Sequence, residues 1–278
     1  MKGFSMLSAN EIKKLIRSRS LNFVRNSRPG AYSDELKEYV WEGHKIFYRA
    51  GMADGGMIYN VLMHPTVMLR PNKILFRKRV QEYWVPQQAN PSVILDIGGN
   101  IGVSSVYYSH LFPNAKIYTF EPVVTNYEIL KKNIASLPNV IAFNVALGTE
   151  DRIAEIYMCD SADNTGGFSL YDLDVDKNNK QEIQLKNSKT FLAENSISKV
   201  DIIKIDTEGA EYDILTSLDQ GMLSEVKWIT GELHGERDFE LLAYLSKWFD
   251  VGINKSVKSR LCNFIARNTK YKDQIPWK

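Results

Sequence analysis

Two cysteines in 278 residues, Cys159 and Cys262, are too few for a disulfide framework, and nothing in the sequence pairs them. A reducing compartment, the cytoplasm, is the expectation. Charge of one sign is also scarce: a net +2 leaves no excess to hold a polyanion. Every apolar run is broken by Arg, Lys or Asp before the ~20 residues that a bilayer crossing needs. Residues 1–28 contain no apolar core of the signal-peptide kind. No internal repeat is visible. The remaining composition is ordinary globular material, 44% hydrophobic and 24% charged, in a length that suits one large domain with an appendage, or two domains. The basic residues near the start (Lys13, Lys14, Arg17, Arg19, Arg25, Arg28) and end (Lys270, Lys272, Lys278) read as solvated helix faces and a polar tail.

What is there begins at Val93. The run Val-Ile-Leu-Asp-Ile over 93–97 has strand character, breaks into a turn carrying Gly98, Gly99, Asn100 and Gly102, and passes into a helical pattern. Glycines at such a place allow positive φ or close approach of a ligand to backbone. A second strand, Ile117 to Glu121, ends on an acid followed by Pro122, which stops the strand and fixes the acid at the sheet's carboxyl edge. An acid there is placed to accept two ribose hydroxyls. Strands near 93–97, 117–121, 140–145, 201–206 and 226–232 alternate with helices near 102–111, 124–136, 209–218 and 237–248. That alternation predicts a parallel sheet covered on both faces. Two short runs, Asp250–Lys255 and Leu261–Arg267, joined by a turn over 256–260, predict a strand pair closing the sheet with one antiparallel member.

Two regions depart from the alternation. Residues 151–190 predict a β-hairpin insertion, with strand-like Ile153–Met158 and Gln181–Lys186 around a polar tip over 160–179. Residues 1–88 predict a mixed helical cap, broken at Pro29-Gly30 and at Pro65, with the main domain running over 89–278.

The first turn lacks the G-x-G-x-x-G of a dinucleotide site. Asp96 before it would repel a pyrophosphate and suits a cationic ligand, such as the methionyl end of S-adenosylmethionine (SAM). Asn144 and Ala146, at the end of the third strand, lie where an adenine would rest. The fourth strand ends Ile203-Lys-Ile-Asp-Thr-Glu-Gly-Ala-Glu211. Asp206 is expected to line the reaction centre, while Glu208 and Glu211 are either functional or helix-start acids favoured by the dipole. Glu232 and His234 alternate onto one side of the fifth strand's end. His234 could serve as a general base, or with Asp206 and Glu232 hold a divalent cation; no metal is expected, because a lone histidine at a strand end is more often a hydrogen-bonded edge residue.

Together these segments, the Asp-Ile-Gly-Gly-Asn-Ile-Gly of 96–102, the Phe-Glu-Pro of 120–122 and the Lys-Ile-Asp-Thr-Glu-Gly-Ala-Glu of 204–211, resemble the FkbM family of SAM-dependent methyltransferases. The resemblance covers about 93–234, and Tyr48–Asp54 is similar to a looser upstream segment of that family. It implies a class I, Rossmann-like methyltransferase fold with a mostly parallel seven-stranded sheet, SAM as donor, and commonly O-methylation of a sugar or natural product. By position it implies that Asp96, Gly98, Asn100 and Gly102 hold the methionine end, Glu121 the ribose, and Asp206 the reaction edge. The chain departs from the family where a Leu-Asp pair usually precedes the fourth strand and Ser188-Lys-Thr-Phe-Leu192 stands instead. His234, Asp206 and Glu208 are the candidates for taking the acceptor's proton. The acceptor is expected to be a saccharide or other small molecule, not nucleic acid: Asp206-Thr-Glu-Gly stands where a base amino-methylase carries Asn/Asp-Pro-Pro-aromatic. The other readings are a cofactor-binding subunit without catalysis and, weakened by the missing fingerprint, a nicotinamide oxidoreductase.

Overall fold

A computed structural model describes residues 7–33, 35–63, 83–159, 168–169, 175–234, 236–255 and 262–277. Those up to Met63 form one compact unit and those from Tyr83 onward another. The break expected at Pro65, the tip motif over 164–167 and the turn over 256–260 lie outside the described residues.

The first unit is less helical than its sequence suggested. Helix α1 (Ala9–Ser18) starts with a reciprocal capping box between Ser8 and Glu11, and α2 (Leu21–Asn26) follows. A two-stranded antiparallel hairpin, β1 (Lys37–Trp41) and β2 (His44–Tyr48), comes next, then α3 (Asp54–Leu62). Tyr39 and Tyr48 on the hairpin pack against Phe23, burying one face of the pair. That packing explains the correction: period-2 burial in a short hairpin left too brief a signal to separate from helix. The upstream segment that resembled the family has a physical role here. Arg49 donates through its amide, Nε and Nη2 to the buried Asp54 carboxylate, at 2.8–2.9 Å, which ties the end of β2 to the start of α3.

In the second unit the order is β3 (Val93–Ile97), α4 (Val103–Leu111), β4 (Lys116–Phe120), α5 (Val124–Ile134), β5 (Val140–Phe143), β6 (Ala146–Gly148), β7 (Arg152–Cys159), β8 (Phe168–Ser169), β9 (Val175–Asn187), α6 (Ser188–Glu194), β10 (Ile202–Ile205), α7 (Glu211–Ser217), α8 (Gln220–Glu225), β11 (Trp228–Leu233), α9 (Asp238–Leu245), β12 (Phe249–Lys255) and β13 (Cys262–Asn268). Among the described residues seven strands make the main sheet, ordered β12-β13-β11-β10-β3-β4-β5. The neighbours from β11 to β5 run parallel, and β13 lies antiparallel between β11 and β12. The expected antiparallel closing strand is therefore present. Every residue of β10 and β11 is buried, as a sheet covered on both faces requires. The hairpin insertion is also present as the β7–β9 pair, and it recruits β6 and β8 into a second sheet ordered β6-β9-β7-β8. Helix α6 occupies Ser188–Glu194, where the family's Leu-Asp pair is missing. No helix among the described residues is long and apolar enough to cross a membrane.

Candidate active site

One row of polar side chains crosses the apolar centre of the sheet. Thr119 on β4, Asp96 on β3, Lys204 on β10 and Thr230 on β11 are register partners in adjacent strands, and all are buried. Parallel neighbours in register project to the same face, so a buried acid at 96 and a buried cation at 204 must meet. They do: Lys204 Nζ lies 3.3 Å from Asp96 Oδ1, while Ser104 and Ser105 at the start of α4 donate to Oδ2 at 2.7 and 2.6 Å. Asp96 is 0% exposed. This corrects the expectation that its carboxylate faces a cationic ligand: the cation it meets belongs to the protein, and the acid braces the turn from beneath.

The turn leaves β3 with Gly98 at φ +78, Asn100 at φ +49 and Gly102 at φ +85. The Gly98 and Gly99 amides donate to Phe120 O at 3.0 and 2.9 Å, and the Asn100 amide donates to Glu121 Oε2 at 2.8 Å. The glycines here admit protein as much as ligand. A Cβ on Gly98 would stand 1.9 Å from Asp206 O, and one on Gly99 would stand 2.2 Å from Thr119 Oγ1. Gly98→Ala combines a left-handed backbone penalty of ~1–2 kcal/mol with an overpacking penalty of ~1–3 kcal/mol, so a loss of about 3 kcal/mol in unfolding free energy is expected by denaturant titration.

Glu121 sits just past β4, 5% exposed. Its Oε1 accepts from the Val123 amide at 2.9 Å and from Asn126 Nδ2 at 3.4 Å. Burial pushes its pKa up to about 7, against the downward pull of the Val123, Asn100 and Asn126 hydrogen bonds and of Lys204. Asn144 donates to the Glu121 and Pro122 carbonyls at 2.8 and 3.0 Å, fixing the chain after β4. Ala146 is placed differently from the expectation. It begins β6, pairs with Leu185 and packs on the small cluster of Val123, Ala154, Ile156, Ile183 and Leu185, because the insertion draws this segment into the second sheet. Asn100 Oδ1 and Asn126 Oδ1, from residues that bond either oxygen of Glu121, are buried without a protein hydrogen-bond partner.

The loop after β10 and the end of β11 bring the remaining candidates together. His234 Nε2 lies 3.2 Å from Glu232, 3.8 Å from Glu208 and 3.9 Å from Asp206, and Nδ1 lies 3.4 Å from Glu211. Burial lowers the His234 pKa, but the Glu211 and Glu232 hydrogen bonds and the fields of Asp206 and Glu208 outweigh it and carry the value to about 11. At neutral pH the ring therefore holds its proton. Surrounded by carboxylates, His234 is favoured in its protonated form, which suits a counter-charge to them better than a general base. Glu208 moves the other way, raised to about 7 by burial and by the nearby Asp206. It sits at φ +55, a strained region for a non-glycine residue. Glu211, 1% exposed, accepts from the Thr207 amide and hydroxyl and from the Gly209 amide, so its role is to shape the loop. Asp206, Glu232 and His234 each offer a ligand-type atom within 4.8 Å of the others.

Two residues of the site were not assigned from sequence. Lys204 had a visible signal, a cation inside the apolar strand Ile-Ile-Lys-Ile. Tyr83 had none, since it falls where a cap was expected. Its hydroxyl donates to Asp206 Oδ2, its ring covers Lys204 Nζ at 4.8 Å to the centroid, and its carbonyl accepts from Tyr108 OH at 2.8 Å.

A parallel sheet with a reversed strand between its last two members, and a site at the carboxyl edge of its central strands, is the class I methyltransferase architecture. The methyltransferase FkbM domain matches residues 96–256, and the chain belongs to that family. Methyltransferase 1 of Beauveria bassiana is 28% identical over 196 residues, covering 62% of this chain and 78% of that protein. Methyltransferase sdnD of Sordaria araneosa is 26% identical, over 48% of this chain and 62% of that protein. The AMB antimetabolite synthetase AmbE of Pseudomonas aeruginosa is 26% identical over 53% of this chain, which spans only 8% of that protein. Among solved structures, the precorrin-6y C5,15-methyltransferase of Geobacter metallireducens aligns over 64% of this chain and 81% of its own, at 13% identity and a TM-score of 0.39. The fibrillarin pre-rRNA processing protein of Methanococcus jannaschii aligns over 66% of this chain and 70% of its own, at 13% identity and a TM-score of 0.41.

Proposed function

We propose that this chain transfers a methyl group from SAM to a hydroxyl of a saccharide or other small polyol, in the cytoplasm. The residues fit the cofactor. Glu121 accepts the ribose hydroxyls, the turn over Gly98–Gly102 borders the methionine end, and the orphaned Asn100 and Asn126 oxygens gain donors. Bound there, SAM supplies an electrophilic methyl on a sulfonium.

The protein's share of the chemistry is alignment and proton removal. The observation that carries the reading is the place of Glu208, in the loop at the carboxyl edge just after β10 and 3.8 Å from His234 Nε2. Its carboxyl is raised there by burial and by Asp206 toward the range that suits a general base. It takes the acceptor's proton, while the imidazolium of His234 offsets the neighbouring carboxylates and Asp206 lines the edge. A hydroxyl acceptor benefits from such a base as its proton leaves. The sugar itself comes from what the FkbM resemblance implies; the antimetabolite synthetase among the relatives favours a natural-product acceptor as the alternative.

Incubation with methyl-13C SAM and a panel of sugars, nucleotide sugars, inositols and oligonucleotides, read by mass spectrometry, tests this. The expected product carries one methyl on a hydroxyl, and Glu208→Gln lowers its formation about a hundredfold or more. Methylation confined to oligonucleotides, or cofactor binding with no product, overturns the reading. A chelator arm addresses the Asp206–Glu232–His234 set. Turnover that survives chelation keeps the imidazolium as counter-charge; turnover lost and then restored by magnesium or manganese makes these three residues ligands.

A further inference from the structure

We propose that Lys204 is a positioning residue which holds the glycine turn in its cofactor-binding shape and, through Tyr83, joins that turn to Asp206. The proposal rests on the cofactor reading above. A lysine 2% exposed in the middle of a central strand needs compensation for every proton it carries. Lys204 finds it on β3 or just beyond it: two carbonyl acceptors, Ile97 O at 3.3 Å and Gly98 O, and an ion pair with Asp96, whose Oδ1 lies 3.3 Å from Nζ without a hydrogen bond. The Tyr83 ring closes over the same ammonium.

The positive φ of Gly98 acquires a reason from this arrangement. With its amide bonded to Phe120 O on one neighbouring strand and its carbonyl bonded to Lys204 on the other, the residue is held from both sides. The next amides of the turn bond Phe120 O and Glu121, so the cation and the ribose-side acid fix a single loop. Tyr83 meanwhile donates its hydroxyl to Asp206 and is itself held at the carbonyl by Tyr108. The Asp206 amide bonds Ile97 O at 3.1 Å, so the turn and the reaction edge already meet through backbone, and the buried cation braces that junction from the side-chain layer. The contacts of Lys204 are to Asp96, the turn carbonyls and Tyr83, so its action is through the turn.

The test compares two charge-balanced double variants, Lys204→Met with Asp96→Asn and Lys204→Gln with Asp96→Asn. Both lack the acid, so the difference between them isolates a donor at 204. Amide hydrogen exchange over residues 97–102 and the Kd of S-adenosylhomocysteine by calorimetry are the readouts. In the methionine form, exchange in the turn should quicken at least tenfold while peptides of β10 and β11 stay protected, and Kd should weaken at least tenfold. The glutamine form should recover part of both losses. Identical behaviour of the two variants overturns the proposal, as does faster exchange with an unchanged Kd. Should the methionine form not fold, Lys204→Gln with Asp96→Asn against Asp96→Asn alone decides, and equal exchange and equal Kd there overturn it. A wild-type protein with no affinity for S-adenosylhomocysteine would sink the cofactor reading; exchange in the turn would then judge Lys204 by itself, and unchanged protection would overturn its role.

Discussion

Glu121→Gln is expected to weaken S-adenosylhomocysteine binding about a hundredfold at pH 8, since two hydrogen bonds to a charged acceptor are lost and each contributes ~1.5–3 kcal/mol. The wild type should also bind about tenfold more weakly at pH 6 than at pH 8. Its buried carboxyl has a pKa of about 7, so near pH 6 most molecules hold a proton where a ribose hydroxyl must donate. The variant has no carboxyl to titrate and should lose this dependence. Stability carries the same signature with a definite sign. The folded pKa lies above the ordinary 4.5, so the contribution of Glu121 is fully present below pH 4.5 and is lost as pH rises to about 7. At 1.36 kcal/mol per pKa unit that loss is about 3 kcal/mol. Calorimetric titrations at the two pH values check the binding claim, and urea melts between pH 4.5 and 8 check the stability claim. A variant that binds like the wild type would remove Glu121 from the cofactor site.

Replacing His234 by alanine is expected to cost about 3–5 kcal/mol of stability at pH 7, because it leaves the carboxylates of Asp206, Glu208, Glu211 and Glu232 without their shared cation. For a group whose folded pKa is raised, the stabilisation is complete below the ordinary value of 6.5 and fades as pH rises through about 11. The wild type should therefore lose stability across that alkaline window, and the alanine variant should lack this part of the slope. His234→Lys, which restores a positive charge but no imidazole, should recover at least half of the lost stability. Thermal melts of the three proteins at pH 7 and pH 9 make the comparison. A stable alanine variant, with only methyl transfer impaired, would return the histidine to the role of base.

Much of the second unit was legible because its strands announce themselves. Val93–Ile97 and Ile202–Ile205 are nearly pure β-branched and leucine runs, and strands of that kind belong to sheets buried on both sides. The acid after β4 and the acid-rich loop after β10 were legible for a related reason: charge at the end of an apolar strand marks the carboxyl edge. What the sequence concealed was pairing across the sheet. Asp96 and Lys204 stand 108 positions apart, and only the register of β3 on β10 makes them partners. Asp96 therefore read as a ligand-facing acid when its cation was already supplied. The surroundings of His234 were concealed in the same way, since acids from the β10–α7 loop as well as its own strand converge on its ring. Ala146 was misplaced because three residues of strand next to a long insertion give no sign of which sheet they join. The hairpin of the first unit was too short to separate from helix.

Titration of the wild-type protein with S-adenosylhomocysteine at pH 8 decides whether the Glu121 edge and the glycine turn hold the cofactor. Saturable one-site binding, weakened about tenfold at pH 6, is the result expected of a class I methyltransferase site closed by the Glu121 carboxylate. Absence of binding at millimolar ligand would contradict it.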